Sequence, residues 1–170
     1  MRVHAFTTAM ALAGAVALAA CGNANATPEQ TARYTNADVH EALGIEELPT
    51  ITVYHTPTCG CCGAWADRME EAGFPVDVHV TTTGLQPVRE EHGLPSLLGS
   101  CHTAVVEGYL VEGHVPASDI RKLLIERPEI DGIAVPGMPM GSPGMEGPYT
   151  ENYSSIAFTR EGGMEVFASH

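Results

Sequence analysis

Positive charge is scarce in this chain. Its 170 residues hold eight Lys and Arg against 21 Asp and Glu, a formal net charge of −13. No basic stripe is available to neutralise phosphates, and like-charge repulsion opposes nucleic acid, so DNA and RNA binding are set aside. Charged residues of either sign make up only 17% while 44% are hydrophobic, which is globular composition and not that of a disordered chain. Cysteine is sparse too. Five cysteines are few for a disulfide scaffold, and a chain of this length can bury a core without such staples. The length allows one compact domain with extensions, not two full domains. No internal repeat is visible. What the chain does have is crowding, because Cys59, Cys61 and Cys62 fall within four residues.

Residues 1–20 carry one firm positive charge, at Arg2, and then run rich in Ala, Leu and Val without an acid. That is the pattern of a secretory signal, too short to span a bilayer as a stable helix. Its end, Leu18-Ala19-Ala20-Cys21, resembles the lipobox of bacterial lipoproteins, in which Cys21 becomes the lipidated mature N-terminus. A competing reading cleaves after Ala24-Asn25-Ala26 and discards Cys21. Both readings export the protein, and the expected location is the periplasm, with a lipid anchor as the expected membrane attachment. Thiols there oxidise unless a metal holds them. Residues 21–49 show no sustained period and read as a tether, with a short helix around Ala37 to Leu43.

From Thr50 the pattern becomes regular. Ile51 to Tyr54 reads as a strand. A helix follows from Cys61, with Trp65, Met69 and Ala72 on one face and a stop at Gly73. Val76, Val78 and Val80 alternate with Asp77 and His79, as in a half-buried strand. A second helix runs from about Leu85 to His92. Thr103 to Val106 and Tyr109 to Val111 form a hairpin around Glu107-Gly108. Ser118 is the expected cap of a last helix, which ends before Pro128. The order β-α-β-α-β-β-α is that of a thioredoxin-like α/β domain over residues 50–128. Residues 129–170 form a C-terminal extension that ends in a hairpin around Arg160 to Gly163.

In this order Cys59-Gly60-Cys61-Cys62 occupies the first βα loop and a helix N-terminus. Peptide dipoles and free N–H groups favour thiolate there. Neighbours on a helix point about 100° apart, so Cys61 and Cys62 do not easily close one zinc tetrahedron, whereas diverging thiolates suit a metal-bridging cluster. The loop before the third strand faces the same place and carries Ser100-Cys101-His102. His55 and His114 can approach it, while His40, His79, His92 and His170 read as solvated. Pro136 to Pro148 packs four Pro, four Gly and three Met into thirteen residues, a segment that supports neither helix nor ladder. Met138, Met140 and Met145 on such a loop read as soft metal ligands. Thiolate, thioether and imidazole together select Cu(I) by softness.

These residues resemble the CopG-like copper-resistance family of exported bacterial proteins with a C-x-C-C motif. The likeness spans about Thr50 to Glu146, through Thr58-Cys59-Gly60-Cys61-Cys62, Ser100-Cys101-His102-Thr103, Glu112-Gly113-His114-Val115-Pro116, Gly137-Met138-Pro139 and Gly141 to Met145. The resemblance implies a multinuclear copper cluster bridged by cysteines and completed by the extension, with a role in Cu(I)/Cu(II) interconversion during copper detoxification. The expected metal ligands are Cys59, Cys61, Cys62, Cys101, His102, Met138 and Met145, with Met140 and His114 ranked behind them. Expected partners are copper ions and the copper-efflux or electron-transfer proteins of the same compartment. Two other readings stay open: a metal-free thiol-disulfide oxidoreductase using Cys59 and Cys62, and a passive copper store or chaperone.

Overall fold

The computed structural model describes residues 33–170; the signal sequence, Cys21 and the first part of the tether lie outside the described residues. Helix α1 (Asn36–Leu43) opens on a capping box in which Thr35 and Asp38 exchange side-chain to backbone hydrogen bonds, and it closes on Gly44 in the left-handed region. The tether expectation does not hold here, because Val39 and Leu48 are buried in the main core. Asn36 accepts from Arg121 Nε at 2.6 Å and donates to the Ala72 carbonyl at 2.9 Å, which fastens α1 to two other helices.

Strand β1 (Ile51–His55) leads into helix α2 (Gly60–Glu71), then β2 (Val76–Val80) and α3 (Gln86–Glu91). A 3₁₀ turn at Ser96–Leu98 precedes the hairpin of β3 (His102–Val106) and β4 (Tyr109–Glu112). Both hairpin residues have positive φ, Glu107 at 48° and Gly108 at 85°, the geometry of a two-residue turn that matches strand twist. Helix α4 (Ala117–Glu126) completes the expected order. Pro116, not Ser118, stands at its N-cap, and the Ser118 hydroxyl turns to the neighbouring Asp119 carboxylate at 3.3 Å.

The extension joins the same sheet. Strand β5 (Gly132–Ala134), β6 (Ser154–Phe158) and β7 (Met164–Ser169) continue it to seven strands in the order β2-β1-β3-β4-β5-β6-β7. β1 pairs parallel with β2, and β4 with β5, each across a helical crossover. The three-residue β5 has no periodicity of its own and is a strand only because β4 and β6 hold it on both sides. β2 is an edge strand, more exposed than its alternation implies: Val78 is 45% and Val80 56% exposed. The core gathers Ile51, Val53, Trp65, Met69, Val111, Ile120, Leu123 and Ile133. Each such side chain contributes about 1.5–3 kcal/mol of burial. No helix among the described residues is long and apolar enough to cross a membrane.

Two features of this fold position the site. The N-terminus of α2 opens at the end of β1, with Cys59 as its N-cap and no side-chain hydrogen bond to the free N–H groups. β3 runs antiparallel to β1 in a register that sets His102 opposite His55. The start of β3 and the residue before it, Cys101, therefore lie against the start of α2.

Candidate metal centre

Cys59, Cys61, Cys62 and Cys101 converge, with all four sulfurs within 4.8 Å of one another. Cys61 Sγ lies 3.6 Å from Cys59 Sγ and 3.8 Å from Cys101 Sγ. Cys62 is fully buried, and its sulfur sits 3.4 Å from the Cys101 carbonyl. Cys59 and Cys62 are joined by a disulfide, while Cys61 and Cys101 are free thiols. The C-x-C-C loop thus holds sulfur in two oxidation states, with the disulfide on the Cys59/Cys62 pair that the C-x-x-C spacing offers. Burial, and next the charge of Cys61, push the Cys101 thiol up to about 12. It is neutral near pH 7 unless a cation draws off its proton.

Cys101 also belongs to a second group, with His102 and His114. Its sulfur is 3.0 Å from His114 Nε2 and 3.4 Å from His102 Nδ1. His114 Nδ1 lies 2.8 Å from the Pro143 carbonyl. A carbonyl only accepts, so Nδ1 carries the proton and the Nε2 lone pair faces the sulfur. Burial lowers the His114 pKa, against the Pro143 hydrogen bond and the Glu146 charge. His102 is held neutral more strongly, by burial and by its neighbours His114, His55 and Arg89. Its ring tilts against Trp65 at 4.5 Å between centroids, and its Nε2 is buried without a hydrogen-bond partner. Two neutral imidazoles beside a sulfur cluster form a donor set suited to a soft metal. A buried nitrogen with no partner is the kind of atom that such a site accommodates.

The Pro/Gly/Met loop closes over this place through its backbone. A Cβ on Gly144, whose φ is +80°, would stand 2.7 Å from the Trp65 nitrogen and 2.8 Å from the Cys61 carbonyl. Only glycine lets the loop lie so close to the first turn of α2. Buried Ser142 donates to the Pro139 carbonyl at 2.7 Å, and the Ser100 hydroxyl donates to the Gly137 carbonyl at 2.5 Å. Met145 follows Gly144 directly and is partly buried. Met138 is 52% exposed and lines an open pocket with Pro136, Pro139 and Tyr153. The Met140 thioether turns to the loop's far end beside Gly147, and its backbone N–H is held by the Glu151 carboxylate at 2.7 Å.

Sequence reasoning missed the support beneath the cysteine loop. Glu112 is fully buried at the end of β4 and accepts from Arg89 Nη2 at 2.5 Å, from the Ser100 N–H at 2.6 Å and from the Thr103 hydroxyl at 2.6 Å. Arg89 Nη2 also donates to the Ser100 carbonyl at 2.6 Å. Burial raises the Glu112 pKa, opposed by these donors. The network grips the residue before Cys101 from both sides of its backbone. A charged residue ending the apolar run Tyr109-Leu110-Val111 is the signal that could have found it. His170, expected in solvent, instead stacks on Tyr153 and meets the buried Asp119 carboxylate at 2.8 Å. His55 donates from Nδ1 to the Thr56 carbonyl at 2.8 Å and sits beside His102.

Fold and site together define a mixed α/β protein with one seven-stranded sheet and a cysteine–histidine centre able to hold metal at the sheet's end. Residues 98–145 match a family described as a protein of unknown function, DUF411. Two solved structures named copper resistance protein CopG, forms 2 and 1, are each 46% identical to this chain. They cover 73% of it and 99% and 98% of their own chains, with TM-scores of 0.69 and 0.68. No curated protein matches. The chain belongs to the CopG family of copper resistance proteins.

Proposed function

We propose that this protein binds copper in copper resistance, on a thiolate cluster of Cys59, Cys61, Cys62 and Cys101 extended by His102 and His114. The observation that carries this reading is the double membership of Cys101, which belongs both to the four-sulfur group and to the sulfur–imidazole group. A sulfur placed between two ligand sets suits bridging of more than one ion, and its softness suits Cu(I). Met145, next to Gly144 at its contact with α2, is the loop thioether we propose for the same cluster; Met138, half-exposed in a pocket with Pro136, Pro139 and Tyr153, and Met140, turned to Gly147, rank behind it. Two kinds of ligand, soft sulfur and borderline nitrogen, allow both copper oxidation states and hence interconversion of Cu(I) and Cu(II). The signal-like residues 1–20 and the lipobox at Cys21 support a periplasmic, lipid-anchored location. Elemental analysis of protein purified with its metal tests the reading: several copper ions per chain are expected, and zinc alone or no metal sinks it.

A second reading has its own observation. The Cys59–Cys62 disulfide is the oxidised state of a C-x-x-C thiol-disulfide oxidoreductase. Insulin reduction lost in Cys62→Ser and untouched in Met138→Leu favours that reading. A passive copper store would share the ligands of the first reading and differ only in lacking redox turnover with an electron partner.

A further inference from the structure

With Cys59 and Cys62 joined, the four-cysteine group offers only two thiols, Cys61 and Cys101. The thiolate is the metal ligand, and a disulfide sulfur carries no such charge. We infer that the Cys59–Cys62 disulfide is a redox lock on the metal site, opened by a dithiol donor that attacks Cys59, and that full metal loading waits on this exchange. The inference rests on the copper reading above and adds what regulates that site.

Accessibility picks the sulfur that is attacked. Cys62 is fully buried, whereas Cys59 is partly exposed and flanked by exposed Pro57, Thr58 and Gly60. A Cβ added at Gly60 would meet nothing within 4 Å, so the approach to this lip is open. In the first step a donor thiolate bonds to Cys59 Sγ. The bond between Cys59 and Cys62 breaks, and its electron pair leaves on Cys62 as thiolate, in the first turn of α2 where free N–H groups favour negative charge. In the second step the donor's other thiol attacks the donor sulfur of the mixed disulfide and releases Cys59. The donor ends as a disulfide, two electrons have passed to this chain, and the two donor protons go to the released sulfurs or to water when metal takes their place.

The electrons must come from outside the chain. Cys61 Sγ lies within 3.6 Å of Cys59 Sγ, so exchange inside the cluster is geometrically open. Such exchange only relocates the disulfide, and the number of available thiols stays at two.

The test uses the full chain with Cys21→Ser, so that thiol counts report the four site cysteines. Protein purified metal-free in air should show two thiols under denaturant, and four after dithiothreitol treatment and its removal. Each form is then given Cu(I) anaerobically from a competing chelator, and bound copper per chain and remaining disulfide are both measured. The reduced form should hold at least twice the copper of the oxidised form, and dithiothreitol should bring the oxidised form to the same capacity. Equal copper in the two forms, whether or not the disulfide survives, overturns the lock, as do four thiols in the air-purified protein. Copper binding by neither form overturns the copper reading itself, and the lock with it.

Discussion

The sulfur of Cys101 lies 3.0 Å from His114 Nε2, and the opposite ring nitrogen of that histidine is committed to the Pro143 carbonyl. A residue of the Met-bearing loop thereby decides which imidazole nitrogen faces the cysteine. Orientation of a ligand by an outer hydrogen bond of this kind commonly carries 10- to 100-fold in metal affinity.

Because Cys101 belongs to both ligand groups, its removal should cost more than that of any single imidazole. In Cys101→Ala, bound copper per chain should fall by about half or more, while His114→Ala keeps most of its copper at about 10-fold weaker affinity. Elemental analysis and chelator competition read the two quantities, and equal effects from both variants would argue against a shared sulfur.

Gly144 is where the loop touches α2. Gly144→Ala places a methyl group 2.7 Å from backbone at a positive φ, and neither backbone can yield without moving the loop. Metal affinity should drop roughly 10- to 100-fold through the loss of His114 orientation, with the circular dichroism of the sheet unchanged. Wild-type affinity in this variant would separate the loop from the site.

Arg89 and Glu112 form a largely buried pair at 2.5 Å. Arg89→Leu leaves the carboxylate without its cationic partner, a loss of about 3–5 kcal/mol in urea denaturation. The exposed pair of Arg68 and Glu71 should show no measurable change when Glu71 becomes Gln.

The raised pKa of Cys101, about 12, sets a pH dependence with a definite sign. Alkylation consumes thiolate, and a raised pKa means less thiolate at any lower pH. In the metal-free disulfide form, labelling of Cys101 by iodoacetamide should be at least about tenfold slower at pH 8 than that of an exposed cysteine. Its rate should keep rising beyond pH 10. Peptide mass spectrometry follows it, and a plateau near pH 9 would contradict the burial argument.

Much of the chain could be read locally. The face of Trp65 and Met69, the Glu107-Gly108 turn and the terminal hairpin are set by short-range period and turn chemistry, and all three stand in the structure. The cysteine loop, too, falls between a strand and a helix as the pattern requires. Other features have no local signature. β5 exists because neighbours hold it, β2 is exposed because it lies at an edge, and His170 is drawn partly out of solvent because Asp119 meets it from α4.

The sequence by itself determined the chemistry available to this protein: which residues can carry thiolate, thioether and imidazole, and that they sit on breaks between regular elements. Tertiary structure alone decided the arrangement. It set Cys101 between the sulfurs and the imidazoles and placed Glu112 and Arg89 beneath Ser100. The Cys59–Cys62 disulfide, by contrast, joins a C-x-x-C pair that the spacing already offered. The physical reason is that side-chain type and local period are properties of neighbours along the chain. A ligand set that joins Cys59 to Cys101, or an ion pair such as Arg89 with Glu112, is a distance between residues remote in the chain that only strand pairing and core packing bring together.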